Sequence, residues 1–179
     1  MASFKIIPNE ITQEYLKYLF DYKDGFLYWT ENVKVKRKIG CKAGYLNKRE
    51  DGSRQMIIID NKLYLASRII FLWHHGYLPF IVDHENNNQE NDRIENLRAA
   101  TRSQNQANQK KRKKATSKYL GVSLSDDKYW IAGIFINNKR KHLGCFKSEE
   151  AAALCYNKAA VKHHKEFANL NIIKPNSIL

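Results

Sequence analysis

Residues 109–118 read QKKRKKATSK, and six of the ten are Lys or Arg, with no large apolar side chain among them. Such a run cannot enter a core, because each buried cation would need its own counter-charge. It therefore reads as a linker or the exposed end of a helix, and it splits the 179-residue chain near residue 115. The two pieces must each find their own small core. Enough apolar material is present for that, since 43% of the residues are hydrophobic and 12% aromatic, which excludes a wholly disordered chain.

Charge narrows the class of partner. Thirty-one Lys and Arg face eighteen Asp and Glu, a formal net charge of +13. A polyanion is the expected partner, with nucleic acid ahead of an anionic membrane surface. No apolar stretch reaches the roughly 20 residues of a membrane span, and MASFKIIPNEITQEY lacks the positive-then-apolar order of a secretory signal. A soluble, cytoplasmic protein is expected, with no membrane partner. Cys41, Cys145 and Cys155 show no paired spacing, so zinc knuckles and disulfide frameworks are not indicated and all three read as buried packing residues.

Upstream of the basic run, ITQEYLKYLFDY sets Ile11, Tyr15, Leu16, Leu19 and Phe20 at helical spacing, with Asn9 or Thr12 as the cap. DGFLYW predicts a turn into a brief strand. GYLNKREDGSRQMIIIDNKLYLASRIIFLWHHG predicts two strands around the turn DNK, then a helix over about Ala66–His75. His74 and His75 read as ordinary helix-end residues. Downstream, YLGVSLS, YWIAGIFIN and KRKHLGCF are three aromatic and β-branched runs separated by DDK and NNK, which predicts three antiparallel strands. SEEAAALCYNKAAVKHHKEF opens with Ser148 as a cap and carries Glu149 and Glu150 in its first turn. Ala152, Cys155, Tyr156, Ala159 and Ala160 repeat along one face of this predicted helix.

The first half ends in VDHENNNQENDRIENLRAATRSQNQANQK, residues 82–110, crowded with carboxamides behind the pair Asp83 and His84. Asn is an ordinary turn former, and a lone Asp-His pair carries little weight. The joint pattern carries more. A hard divalent cation takes oxygen ligands, which Asp and Asn supply, and a neutral His can accept the proton of an attacking water. Asp83 next to His84, followed by Asn residues at fixed distances, can therefore assemble a small phosphodiesterase site.

These residues, and the run from RIIFLWHHGYLP through SQNQANQ, resemble the HNH endonuclease family in its phage-type branch. The resemblance implies a ββα-metal finger in which His84 ends the first strand, NLRAAT forms the second, and a helix from Arg102 or Ser103 presents Asn105. It implies Asp83 and Asn105 as metal ligands, with Asn108 an alternative to Asn105. His84 would be the general base, and Asn96 the residue that fixes the loop and orients the His84 ring. One divalent cation, Mg²⁺ or Mn²⁺, is the implied cofactor. Ser67 precedes Arg68 where many relatives have His.

Residues 117–171 resemble a second family, the plant ethylene-response-factor or AP-two DNA-binding domain, through SKYLGV, Trp130 with Ala132, HLGCF, SEEAAALCYNKAA and FANLN. That resemblance implies three strands packed on one helix, with the sheet laid in the DNA major groove. Ser123, Ser125, Lys128, Trp130, Lys139, Arg140 and Lys141 are the expected DNA contacts. Leu120 and Ser123 stand where plant members carry Arg.

The expectation is thus an α+β chain. Residues 1–112 would be an HNH nuclease domain, 113–118 a basic linker, 119–171 an AP-two-like DNA-binding domain and 172–179 a tail. The expected function is metal-dependent hydrolysis of double-stranded DNA to 5′-phosphate and 3′-hydroxyl ends, by a mobile, phage-encoded homing-type endonuclease acting as a monomer. The alternatives are an inactive DNA-binding regulator and a nuclease for RNA or structured DNA.

Overall fold

The computed structural model describes residues 11–32, 39–48, 52–111 and 115–174. Asn9 as an alternative cap, the start of the chain, residues 112–114 of the basic run and the end of the tail lie outside the described residues. The chain divides into two compact units, Met1–Ala100 and Thr101–Leu179, and its mix of helices and strands fits an α+β class.

The first unit opens with α1, Gln13–Leu19, capped by the Thr12 side chain, which accepts from the Tyr15 amide. The helix stops one residue earlier than its apolar spacing predicts: Phe20 is extended and starts β1, Phe20–Lys23. Phe20 is fully buried all the same, so its position satisfies the core from a strand as well as it would from a helix. The turn Asp24-Gly25, both at positive φ, leads into β2, Phe26–Trp29. A three-stranded antiparallel sheet follows, with β3 at Tyr45–Asn47, β4 at Arg54–Ile59 and β5 at Lys62–Leu65, in the order β3-β4-β5. Asp60 and Asn61 close the β4–β5 hairpin with both residues left-handed, which short polar side chains tolerate best.

α2, Ala66–His75, ends at Gly76 in the left-handed conformation. Gln13 of α1 donates to the Trp73 and His74 carbonyls at the end of α2, satisfying groups that a helix C-terminus leaves open. His74 and His75 are indeed the last two residues of α2. The core of this unit joins Leu16, Phe20, Leu27, Ile57, Ile59, Ile69 and Ile70. Its last element is the antiparallel hairpin of β6, Ile81–His84, and β7, Leu97–Ala100.

The second unit begins with α3, Arg102–Ala107. Thr101 and Gln104 close a reciprocal capping box there. The sheet of β8 (Val122–Leu124), β9 (Trp130–Ile136) and β10 (Lys139–Phe146) is a meander in the order β10-β9-β8. Asn137 and Asn138, both at positive φ, turn β9 into β10. α4, Glu149–His164, is capped by Ser148, whose side chain accepts from the Ala151 amide. Ala152, Ala153, Tyr156 and Ala160 of α4 are buried against Val122, Ala132 and Ile134 of the sheet, and the small side chains let helix and sheet approach closely. Gly121 is needed at one point of this contact: a Cβ there would meet the Tyr156 ring at 2.1 Å.

The cysteines correct an expectation. Cys155 packs half-buried on the helix-facing core, but Cys41 and Cys145 are exposed. Cys145 pairs with Ile131 across β10 and β9, and strand alternation turns both away from the helix.

Candidate active site

β6 places two polar residues in succession at its end, and alternation sends them to opposite faces of the hairpin. Asp83 lies opposite Arg98 on β7, and His84 lies opposite Leu97. The Arg98 Nε donates to the Asp83 Oδ2 at 3.0 Å, with both side chains largely buried. The Arg98 Nη1 also stands 3.6 Å from the Glu85 Oε1. Desolvating a pair of charges returns little stability, so this arrangement orients a carboxylate more than it strengthens the fold.

Residues 85–96 form the loop between the strands, and the carboxamides build it. The side-chain oxygens of Asn86, Asn88 and Asn91 accept from the amides of Asn88, Glu90 and Arg93, each two residues on. This is the local turn chemistry that Asn favours. Asn96 then ties the two ends together. Its Oδ1 accepts from the Asn86 amide at 3.0 Å, its Nδ2 donates to the Asn91 carbonyl at 2.7 Å, and its own carbonyl accepts from the Glu85 amide at 2.9 Å. Arg54 of β4 holds the loop from outside, donating to the Gln89 Oε1 at 2.7 Å.

The closed loop returns Asp92 to His84. The His84 Nε2 and Asp92 Oδ1 are 2.7 Å apart, and only 13% and 2% of the two side chains are exposed. Asn96 was expected to orient this ring; Asn96 bonds the loop backbone, and the contact at Nε2 is made by Asp92. Sequence reasoning missed Asp92. No local pattern marks it, because its place beside His84 depends on how the loop between the strands closes. Burial pushes the Asp92 carboxyl above the usual carboxylate range, while the hydrogen bond to His84 and the His84 and Lys42 charges pull it down. The Lys42 ammonium lies 3.2 Å over the centre of the Phe26 ring. The β1–β2 hairpin backs the same loop: the Tyr22 hydroxyl accepts from the Ile94 amide at 3.0 Å. A Cβ on Gly25 would come within 2.9 Å of the Arg93 nitrogen.

Asn105 and Asn108 belong to the second unit. Asn105 is half-buried, with its amide bonded to the Thr101 carbonyl. Asn108 is the buried C-cap of α3, and its carbonyl accepts from the Asn169 Nδ2 at 3.3 Å. Among the described residues no group of three or more His, Cys, Asp or Glu side chains is placed to hold a metal ion. A site of one carboxylate with amide oxygens would not be of that kind.

The expected DNA contacts of the second unit fall on different surfaces. Cross-strand register puts Ser123 with Ile131 and Cys145, His142 with Gly133, and Arg140 with Phe135. All face away from α4. The Arg140 guanidinium lies over Gly133, where a Cβ would meet its Nε at 3.0 Å. Ser125 and Lys128 sit in the β8–β9 turn, with the Ser125 hydroxyl accepting from the Tyr129 amide. Lys139 and Lys141 pair with Ile136 and Ile134 and are exposed. Trp130 packs half-buried with the helix-facing core, and Tyr129 beside it is exposed.

Residues 64–107 match the model of a family described as HNH endonuclease. The match runs from β5 to the end of α3 and takes in Asp83, His84, Asn96 and Asn105, so this segment is similar to HNH endonucleases. No curated protein and no solved structure matches the chain. No helix among the described residues is long and apolar enough to cross a membrane.

Proposed function

We propose that the protein is a divalent-metal-dependent endonuclease that hydrolyses double-stranded DNA to 5′-phosphate and 3′-hydroxyl ends. The observation that carries this reading is a His at a strand end, held at one ring nitrogen by a buried carboxylate and preceded by a second buried carboxylate, inside the segment matching HNH nucleases.

The donor set suits a hard cation. Asp83 offers an anionic oxygen and Asn105 an amide oxygen, with Asn108 as the alternative, and Mg²⁺ and Mn²⁺ prefer such ligands. When bound, the cation would neutralise charge on the phosphate and the leaving oxygen. The chain's own groups do the rest. His84 takes a proton from water as the water oxygen forms its bond to phosphorus, and the bond to the 3′ oxygen breaks. Asn96 keeps the loop closed around the base.

Residues 119–171 are proposed as the DNA-holding part, joined through 113–118 to a nuclease domain of residues 1–112. Exposed Arg140, Lys139, Lys141 and Lys128 supply cations for phosphates. Ser123 and Ser125 supply hydroxyls at the open side of the sheet. Trp130 contributes through the core that holds the sheet flat against α4. The mobile, phage-encoded character of the chain and its action as a monomer belong to the same proposal.

The test is cleavage of supercoiled plasmid with Mg²⁺ or Mn²⁺, with and without chelator, followed by sequencing of the ends. Metal-dependent cutting with 5′-phosphate ends is expected. Tight DNA binding with no cutting would favour a regulator, and cutting confined to RNA or branched DNA would change the substrate.

A further inference from the structure

We infer that Asp92 is a positioning residue for cleavage: its carboxylate fixes the His84 imidazole in one orientation and one tautomer. The inference rests on the proposed role of His84 and names the group that would make that base usable.

At 2.7 Å the contact between the His84 Nε2 and the Asp92 Oδ1 lies in the range of charge-assisted hydrogen bonds. An acid accepting at Nε2 keeps the proton there and leaves the lone pair on Nδ1, so the ring offers its basic nitrogen in a set direction. When Nδ1 takes the proton of the attacking water, the positive charge that develops on the ring sits beside a carboxylate. The balance is simple: the water proton goes to Nδ1, the water oxygen pair forms the new phosphorus–oxygen bond, and the electrons of the breaking bond leave on the 3′ oxygen.

The surroundings fit a positioning role better than a stabilising one. Asp92 is almost completely buried, and desolvating a carboxylate costs more than a neutral side chain of the same shape would. The backbone that carries Asp92 is fixed from three sides. Asn96 closes the loop over the Asn91 carbonyl, the Tyr22 hydroxyl holds the Ile94 amide, and Gly25, at φ +86°, leaves just enough room for Arg93. A carboxylate so firmly held cannot relax away from the ring.

The experiment is a double-mutant cycle on the full chain with Mn²⁺, measuring single-turnover cutting and DNA affinity for Asp92→Ala, His84→Ala and both together. Asp92→Ala should slow cutting by about 10- to 100-fold, as loss of an orienting partner usually does, with DNA affinity within a few-fold of the parent. In the His84→Ala background the same change should cost nothing more, because Asp92 acts through His84. Asp92→Asn, which keeps an acceptor oxygen, should recover part of the rate, and the cycle run with it serves equally if the Ala variant does not fold. Parent-rate cutting by Asp92→Ala overturns the inference. So does an equal fold-loss in both backgrounds, which would mark a purely structural role. Parent-rate cutting by His84→Ala would remove the base itself, and with it both the proposed mechanism and this inference.

Discussion

The two units handle charge in opposite ways. At the β6–β7 hairpin charged and titratable groups are buried and paired, Asp83 with Arg98, which also reaches Glu85, and His84 with Asp92. On β10 the cations Lys139, Arg140 and Lys141 stand exposed along one strand. Buried, matched groups set positions to fractions of an ångström and give little net stability. Exposed cations set no such geometry, but they release counterions when they meet a phosphate backbone. Under the proposed function the contrast is that between a place for chemistry and a place for holding, and mutation can break it.

The largest expected effect is at the carboxylate. Asp83→Ala should remove metal-supported cutting altogether and Asn105→Ala most of it, while Asn105→Asp should recover some, since it keeps an oxygen donor. Parent-level cutting by Asn105→Ala would move the ligand role to Asn108. Each is read in plasmid cleavage across a Mg²⁺ or Mn²⁺ titration.

Next comes truncation after Arg112. From the sequence alone this should leave a weak, poorly selective nuclease. The structure makes the loss larger, because α3, which carries Asn105, packs against α4 and is tied by Asn169 to the Asn108 carbonyl. The truncated chain should lose binding and nearly all cutting. Retained cutting with unchanged site preference would show that residues beyond 112 do not serve the nuclease.

Asn96→Ala should act on stability first. It removes one acceptor and one donor that close the loop, and stranding such buried groups costs about 1–3 kcal/mol each. Urea unfolding monitored by circular dichroism reads the loss, and cutting should fall with it. Smallest is Lys139→Ala, which should weaken many DNA sequences alike and flatten the dependence of log affinity on log salt by roughly 0.9. An unchanged slope would take Lys139 out of the phosphate contacts.

What could be read from the sequence followed the range of the interactions. α4, the three strands before it and α2 are set by local periodicity, caps and paired Asn or Asp turns, and each was legible. β3 was not, being three residues long with no apolar alternation. Phe20 was placed in a helix because its spacing fits one, yet core burial is met equally from β1. Asp83, His84 and Asn96 were legible because they belong to one hairpin and its loop. Asp92 was not, because its place beside His84 depends on how the whole loop closes. The exposure of Cys145 escaped for a related reason: composition says what a thiol prefers, and strand register decides which way it faces.

The most direct test of the division of labour is to measure cutting at saturating DNA, affinity and salt slope for two variants on one substrate, His84→Ala and the combined Lys139→Ala, Arg140→Ala and Lys141→Ala. His84→Ala should cut about 10² to 10⁴ times more slowly with affinity within a few-fold of the parent. The triple variant should keep its cutting rate once saturated, bind more weakly and show a clearly shallower slope. Parent-rate cutting by the first variant, or parent affinity and slope in the second, would contradict the account.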